Sequence, residues 1–128
     1  MITRVELLRL AFENDEPAGP VRRRARAVLI GSAPASSVDA VDDALVVISE
    51  LVENVTRHTR GGGELRLTRE AGMIMVEVHD GDATEPRLLP PDDRRIGGRG
   101  LLVVAGMARR WGVRPEETGK TVWAEIRC

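Results

Sequence analysis

"ISELVENVTRH", residues 48–58, closes a long helical pattern. Leu45, Ile48, Val52 and Val55 recur at helical spacing and form one apolar stripe, widened by Leu51. A stripe of that kind packs on a core. Glu50 and Asn54 do not fit it. They stand one helical turn apart on the same face. Pointing both into water would account for them with no function at all. Lining a cleft, they have useful chemistry. The carbonyl oxygen of an Asn is a hard neutral ligand suited to Mg²⁺, and a carboxylate one turn away can orient or deprotonate a hydroxyl or a water.

Outward from this stretch, "VDAVDDALVVISELVENVTRH" predicts one helix over 38–58. Ser36 or Ser37 suits its cap and Asp39 its positive end. Glu53 and Arg57 are spaced to pair at i, i+4. Arg57, His58 and Arg60 suit the negative end, and the glycines at 61–63 stop the helix. Upstream, 3–12 alternates at Leu8, Leu10 and Phe12 and predicts a strand. Residues 13–20 read as a loop, and 21–31 as a helix with Val21, Ala25, Val28 and Leu29 inward. Downstream, "ELRLTREAG" and "MIMVEVHDG" alternate as two strands turning at 70–72. The stretch 81–96 holds three prolines and no period, too long for an idle connector. "GGRGLLVVAGMARRWG" opens on glycines and becomes a helix. "WGVRPEE" and "GKTVWAEIRC" form a closing hairpin, with Val122, Ala124 and Ile126 on one face and Thr121, Trp123 and Glu125 on the other. The expected fold class is α+β: a two-layer α/β sandwich with a mostly antiparallel sheet and helices on one face. All 128 residues are expected to form a single domain.

Composition narrows the function classes. The charge is −1, from 19 basic and 20 acidic residues, so no basic field exists for direct nucleic-acid binding. The run "VRRRAR" at 21–26 reads as a solvated helix face. Aromatics are 2%, with no Tyr, which leaves few platforms for stacked bases. The only cysteine is Cys128, so no intrachain disulfide forms. No apolar run approaches the ~20 residues that span a bilayer, and no signal-peptide stretch opens the chain; a cytoplasmic protein away from membranes is expected.

Three further motifs matter. "VEVHDG" ends a strand on Asp80 and Gly81. An acid there can accept from an exocyclic amine such as N6 of adenine, although Asp-Gly is also a common turn. "GGRGL", residues 97–101, places glycines before a helix N-terminus, where backbone N–H groups approach phosphates; a plain flexible loop reads the same way. "GKT" at 119–121 is not a P-loop. The required earlier glycine falls on Arg114, and a strand pattern follows where a P-loop opens a helix. His58 and His79 lack the spacing of zinc ligands.

In their order these features resemble the Bergerat-fold (GHKL) ATP-binding domains of gyrase, MutL and the histidine kinases. More closely the chain is similar to actinobacterial anti-sigma factor serine kinases of the SpoIIAB and RsbW type. The resemblance spans nearly the whole chain and is strongest in "ISELVENVTRH", "GGRGLLVVAGMARRWGV" and "GKTVW". It implies ATP and Mg²⁺ as cofactors, with Asn54 on the metal and Glu50 as general base. It implies Asp80, followed by Gly81, on the adenine amine, with Thr121 standing near both. It implies Gly98, Arg99 and Gly100 at the phosphates, Leu101 opening the next helix, and 81–96 as a lid whose Arg94 or Arg95 joins Arg99 in neutralising charge. Histidine kinases usually carry Asn where Glu50 stands; serine kinases and ATPases carry Glu. The implied function is an anti-sigma factor that phosphorylates a serine on a STAS-type anti-anti-sigma partner. A non-catalytic module that sequesters a sigma factor is the alternative, and an ATPase or detached kinase domain a third reading. A homodimer is expected by resemblance alone. One departure stands out: the family often reads Asp-x-Gly-x-Gly, whereas this chain reads Asp80-Gly81-Asp82-Ala83-Thr84.

Overall fold

The computed structural model describes residues 4–13, 18–32, 38–58, 61–81 and 96–128; of Ser32, His58 and residues 96–99 it describes the backbone. The elements run β1 (Arg4–Phe12), α1 (Ala18–Ser32), α2 (Val38–His58), β2 (Gly63–Glu70), β3 (Met73–Asp80), α3 (Ile96–Met107), β4 (Arg110–Pro115) and β5 (Lys120–Arg127). The five strands form one sheet in the order β1-β2-β3-β5-β4, antiparallel throughout. The two-layer α+β arrangement is the one the sequence pattern predicts.

The stripe on α2 is the centre of the core. Ile48, Leu51, Val52 and Val55 are buried, along with Ala44 and Val47. Burying one Ile or Leu side chain stabilises the fold by about 1.5–3 kcal/mol. Opposite them lie Leu65 and Leu67 of β2, Ile74, Val76 and Val78 of β3, and Val122, Ala124 and Ile126 of β5, all buried. Helix α1 covers β1, and α3 packs on α2 and β4. In β1 the register shifts between Glu6 and Leu8, a bulge that keeps Leu8 and Phe12 on the core side although Val5 stands three residues before Leu8.

Two boundaries differ from the sequence reading. Helix α1 begins at Ala18, not at 21, so Ala18, Gly19 and Pro20 are helical. Proline is tolerated in a first turn, where its missing N–H costs no helical bond, and the burial of Ala18 and Val21 holds the turn down. Helix α3 begins at Ile96, so the glycines lie inside its first turn and not ahead of it. The expected cap at Ser36 or Ser37 lies outside the described residues, as does most of 81–96.

Among the described residues no helix covers the other face of the sheet, and charges arranged across strands keep it polar. Glu77 of β3 lies between Arg114 of β4, at 2.6 Å, and Arg4 of β1, at 3.6 Å. Arg110 donates to both carboxylate oxygens of Glu125, at 2.7 and 3.0 Å. Cross-strand pairs of opposite charge favour this register over a slipped one.

The turn between β2 and β3 supplies one test. Ala71 has φ +45° and Gly72 φ +77°, the two left-handed positions of a type I′ hairpin. Alanine is a poor occupant of the first. Ala71→Asn should raise stability by about 0.5–1 kcal/mol in urea unfolding.

The sheet face supplies a second. The hydrogen bonds from Arg110 hold the Glu125 carboxyl below the usual carboxylate range, with the guanidinium charge adding to the effect. A lowered folded-state pKa gives stability that is fully present above the ordinary carboxylate range and lost as pH falls through the lowered value. Glu125→Gln should therefore narrow the gap in urea midpoint between pH 7 and pH 3; an unchanged gap would show that this pair plays no part in acid sensitivity.

Candidate functional site

The α2 stripe fixes the helix's rotation, and rotation decides where Glu50 and Asn54 go. With Leu51 and Val55 turned inward, both polar residues fall on the flank of the helix and are half-buried. Glu50 meets α3 there. A Cβ added to Gly100 would come within 2.9 Å of Glu50 Oε2, so the missing side chain is what lets the first turn of α3 seat on the carboxylate. N–H groups of a first helical turn lack partners within the helix and carry partial positive charge. The carboxylate packs against the side of α3 at Gly100, one turn in from the helix's electropositive start at Ile96. Leu101 and Val104, both buried, pin that turn from the core side. Gly98 and Arg99 belong to the same turn by their backbone; the side chain of Arg99, like Arg94 and Arg95, lies outside the described residues.

Asp80 ends β3. It stands two residues beyond Val78, so strand alternation turns its side chain toward the helices, and it is 2% exposed. Lys120, the first residue of β5, is its register partner. The Lys120 ammonium donates to Asp80 Oδ1 at 3.1 Å, and the lysine is 5% exposed. The cost of desolvating two charges is offset by pairing them. The β4–β5 turn closes directly on this spot. Gly119 has φ +84°, and a Cβ there would overlap the Asp80 carbonyl oxygen and lie 2.6 Å from Gly81 Cα.

Thr121 is not where the resemblance puts it. The β3–β5 register pairs Thr121 with His79, one residue short of Asp80, so its side chain is on the far face of the sheet. There its hydroxyl donates to Glu116 Oε1 at 3.0 Å and lies 3.2 Å from His79 Nδ1. Hydrogen bonds from Arg114 and then from Thr121 hold the Glu116 carboxyl below its usual value. The structure therefore joins Glu50 to the Gly98–Leu101 turn, puts Asp80 on the same side of the sheet, and separates Thr121 from both. Lys120, at the position next to Asp80, escaped the sequence reading. It follows only from the β3–β5 register, which sets Val78 opposite Val122 and Asp80 opposite Lys120 across segments distant in the chain.

Three features lie on the helix side of the sheet: a Glu–Asn pair on α2, an acid ending the central strand β3, and a helix opened by glycines that packs on the glutamate at Gly100. The family model of the histidine kinase-like ATPase domain matches residues 13–126. The chain belongs to this family. It is an ATP-binding domain of the Bergerat type. No curated protein matches the chain.

The residues fit such a nucleotide. In such a domain the N–H groups at the start of a helix like α3 would suit phosphates, and a carboxylate like that of Asp80 would suit an amine. Among the described residues no group of three His, Cys, Asp or Glu side chains is placed to hold a metal. An Mg²⁺ at this site would accordingly take most of its ligands from phosphates and water, with Asn54 as the protein's oxygen.

The two glycines predict opposite outcomes. Gly119→Ala forces backbone apart at a positive φ and should cost more than about 2 kcal/mol of stability. Gly100→Ala meets only the end of a flexible side chain and gains helix propensity, so stability should stay within about 1 kcal/mol of wild type. Its affinity for ATP–Mg²⁺ should nevertheless fall, because the phosphate-facing turn and Glu50 are pushed apart. Urea unfolding and calorimetric titration separate the two effects.

Proposed function

We propose that the protein is an ATP- and Mg²⁺-dependent serine/threonine protein kinase acting as an anti-sigma factor in the manner of the SpoIIAB and RsbW type, its substrate a serine on a STAS-type anti-anti-sigma partner. The observation that carries this reading is the seating of the Glu50 carboxylate on the first turn of α3. A base at the mouth of a phosphate-binding turn stands beside the reacting phosphorus. Asn54, one turn along α2, is the proposed metal ligand. Asp80 takes the adenine amine, and the turn from Gly98 to Leu101, with Arg99, takes the phosphates.

The serine oxygen attacks the γ-phosphorus, the bond from that phosphorus to the bridging oxygen breaks, and ADP departs. Glu50 accepts the hydroxyl proton. Catalysis of this kind is mostly positioning and charge stabilisation, in a cleft between the sheet and the helices. A carboxylate suits a neutral hydroxyl acceptor, which favours serine over histidine as target. The phosphoserine, bearing about −2 charge, would then release the partner by repulsion or lost packing.

A second reading has its own observation. The run from Asp80 to Thr84 lacks the later glycines of the family's box, which favours a module that binds ATP and sequesters a sigma factor without transferring phosphate. Labelled ATP incubated with the protein and purified STAS-type partners decides between them. Glu50→Gln should lower transfer by about 10²–10⁴-fold while changing ATP affinity only a few-fold. Transfer at the wild-type rate would remove Glu50 from its role, and no transfer by wild type to any such partner would leave the sequestration reading.

A further inference from the structure

Thr121 is turned to the outer face of the sheet, and none of the roles above uses it. There it belongs to a closed ring of side chains. Its single hydroxyl proton is committed to Glu116 Oε1, at 3.0 Å. The 3.2 Å contact with His79 is therefore a bond that Nδ1–H donates to the Thr121 oxygen. Glu116 Oε1 also receives Arg114 Nε at 3.1 Å, and Arg114 Nη2 donates to Glu77 Oε2 at 2.6 Å. His79 and Glu77 stand two residues apart on β3, so the ring returns to the strand where it began. It ties together β3, β4, β5 and the β4–β5 turn.

The ring sits where the sheet ends. His79 and Thr121 form the last register pair before Asp80 and Lys120, at which the β3–β5 ladder stops. Strand ends open more readily than strand centres. A side chain that serves a ligand must nevertheless be held within about 0.5 Å of its working position, and hydrogen bonds from behind supply that hold. Asp80 rests on the β4–β5 turn. The Glu116 N–H closes this turn on the Gly119 carbonyl at 3.1 Å, and Gly119 lies so near the Asp80 carbonyl that no Cβ fits between them. Thr121 and Arg114 grip the same turn through the Glu116 side chain.

We propose that Thr121 and Glu116 are positioning residues: from the outer face they fix the β4–β5 turn against the end of β3, and so set the place of the Asp80 carboxylate on the inner face. The inference rests on the reading of Asp80 as the acceptor of the adenine amine. Neither residue touches the nucleotide in this account. Their effect therefore falls on the group that Asp80 recognises, the amine, and spares the phosphate contacts. The pair of Arg110 and Glu125 supplies a control. It lies on the same face toward the other end of β5, where it stabilises the sheet without bearing on Asp80.

Calorimetric titration compares ATP with purine riboside triphosphate, which lacks the exocyclic amine, each with Mg²⁺. Wild type should bind ATP about tenfold more tightly than the analogue, the scale of one hydrogen bond to a charged group. Thr121→Val keeps the shape of the side chain and removes the hydroxyl. It should bind ATP about three- to tenfold more weakly, with its affinity for the analogue unchanged. Thr121→Ser, which returns the hydroxyl, should return the preference. Glu116→Ala, at an exposed position, should repeat the loss, and it decides alone if Thr121→Val does not fold. Glu125→Gln should keep the wild-type preference. An undiminished preference in folded Thr121→Val or Glu116→Ala overturns the positioning role. So does equal weakening toward both nucleotides, or the same loss in Glu125→Gln. Wild type that binds both nucleotides equally overturns the amine reading of Asp80 and this inference with it. Wild type that binds neither overturns the ATP site as a whole.

Discussion

The burial of one face of α2 is the constraint on which the rest of the molecule depends. Ile48, Leu51, Val52 and Val55 are excluded from water against β2, β3 and β5. No other rotation of the helix buries all four. Once they are turned inward, the geometry of 3.6 residues per turn leaves Glu50 and Asn54 on the flank, at the layer where α3 arrives. The same packing therefore stabilises the domain and aims its chemistry. A change in the stripe would be felt at Glu50, although none of the four touches a reacting atom in this account.

The first turn of α3 shows the reverse relation, a close approach to Glu50 kept at the expense of local stability. Three glycines between 97 and 100 lower helix propensity by up to about 1 kcal/mol each. Alanines would make a better helix. They would also place side chains between the backbone and the Glu50 carboxylate at Gly100. Burial of Leu101 and Val104 a turn later is what lets so weak a sequence begin the helix at Ile96. Across the sheet, the ion pairs of Arg4, Arg110 and Arg114 keep polar the face that no helix covers among the described residues.

Much of this was legible in the sequence because it is periodic. The α2 stripe, the alternation of β3 and β5, and the hairpin at Ala71 and Gly72 follow from spacing and from residue type at the turn. The i, i+4 pair of Glu53 and Arg57 appears at 3.6 Å as spacing predicts. What escaped depends on pairing between distant segments. The separation of Thr121 from Asp80 is a matter of one residue in the β3–β5 register, and a one-residue difference moves a side chain to the other face. Lys120 was hidden for the same reason: nothing local marks it as opposite Asp80. The early start of α1 at Ala18 was missed because a proline reads as a breaker, while in a first turn it is harmless.

We propose that a nucleotide lies between α2, α3 and the end of β3. Backbone amide shifts in an NMR titration with ATP and Mg²⁺ test it most directly, since they report every element at once. The large shifts should gather at residues 50–54, 80–81 and 98–104, with the outer-face strand positions around Glu77, Trp123 and Glu125 moving little. Shifts centred on that outer face, or a spectrum unmoved by ATP at millimolar concentration, would contradict it.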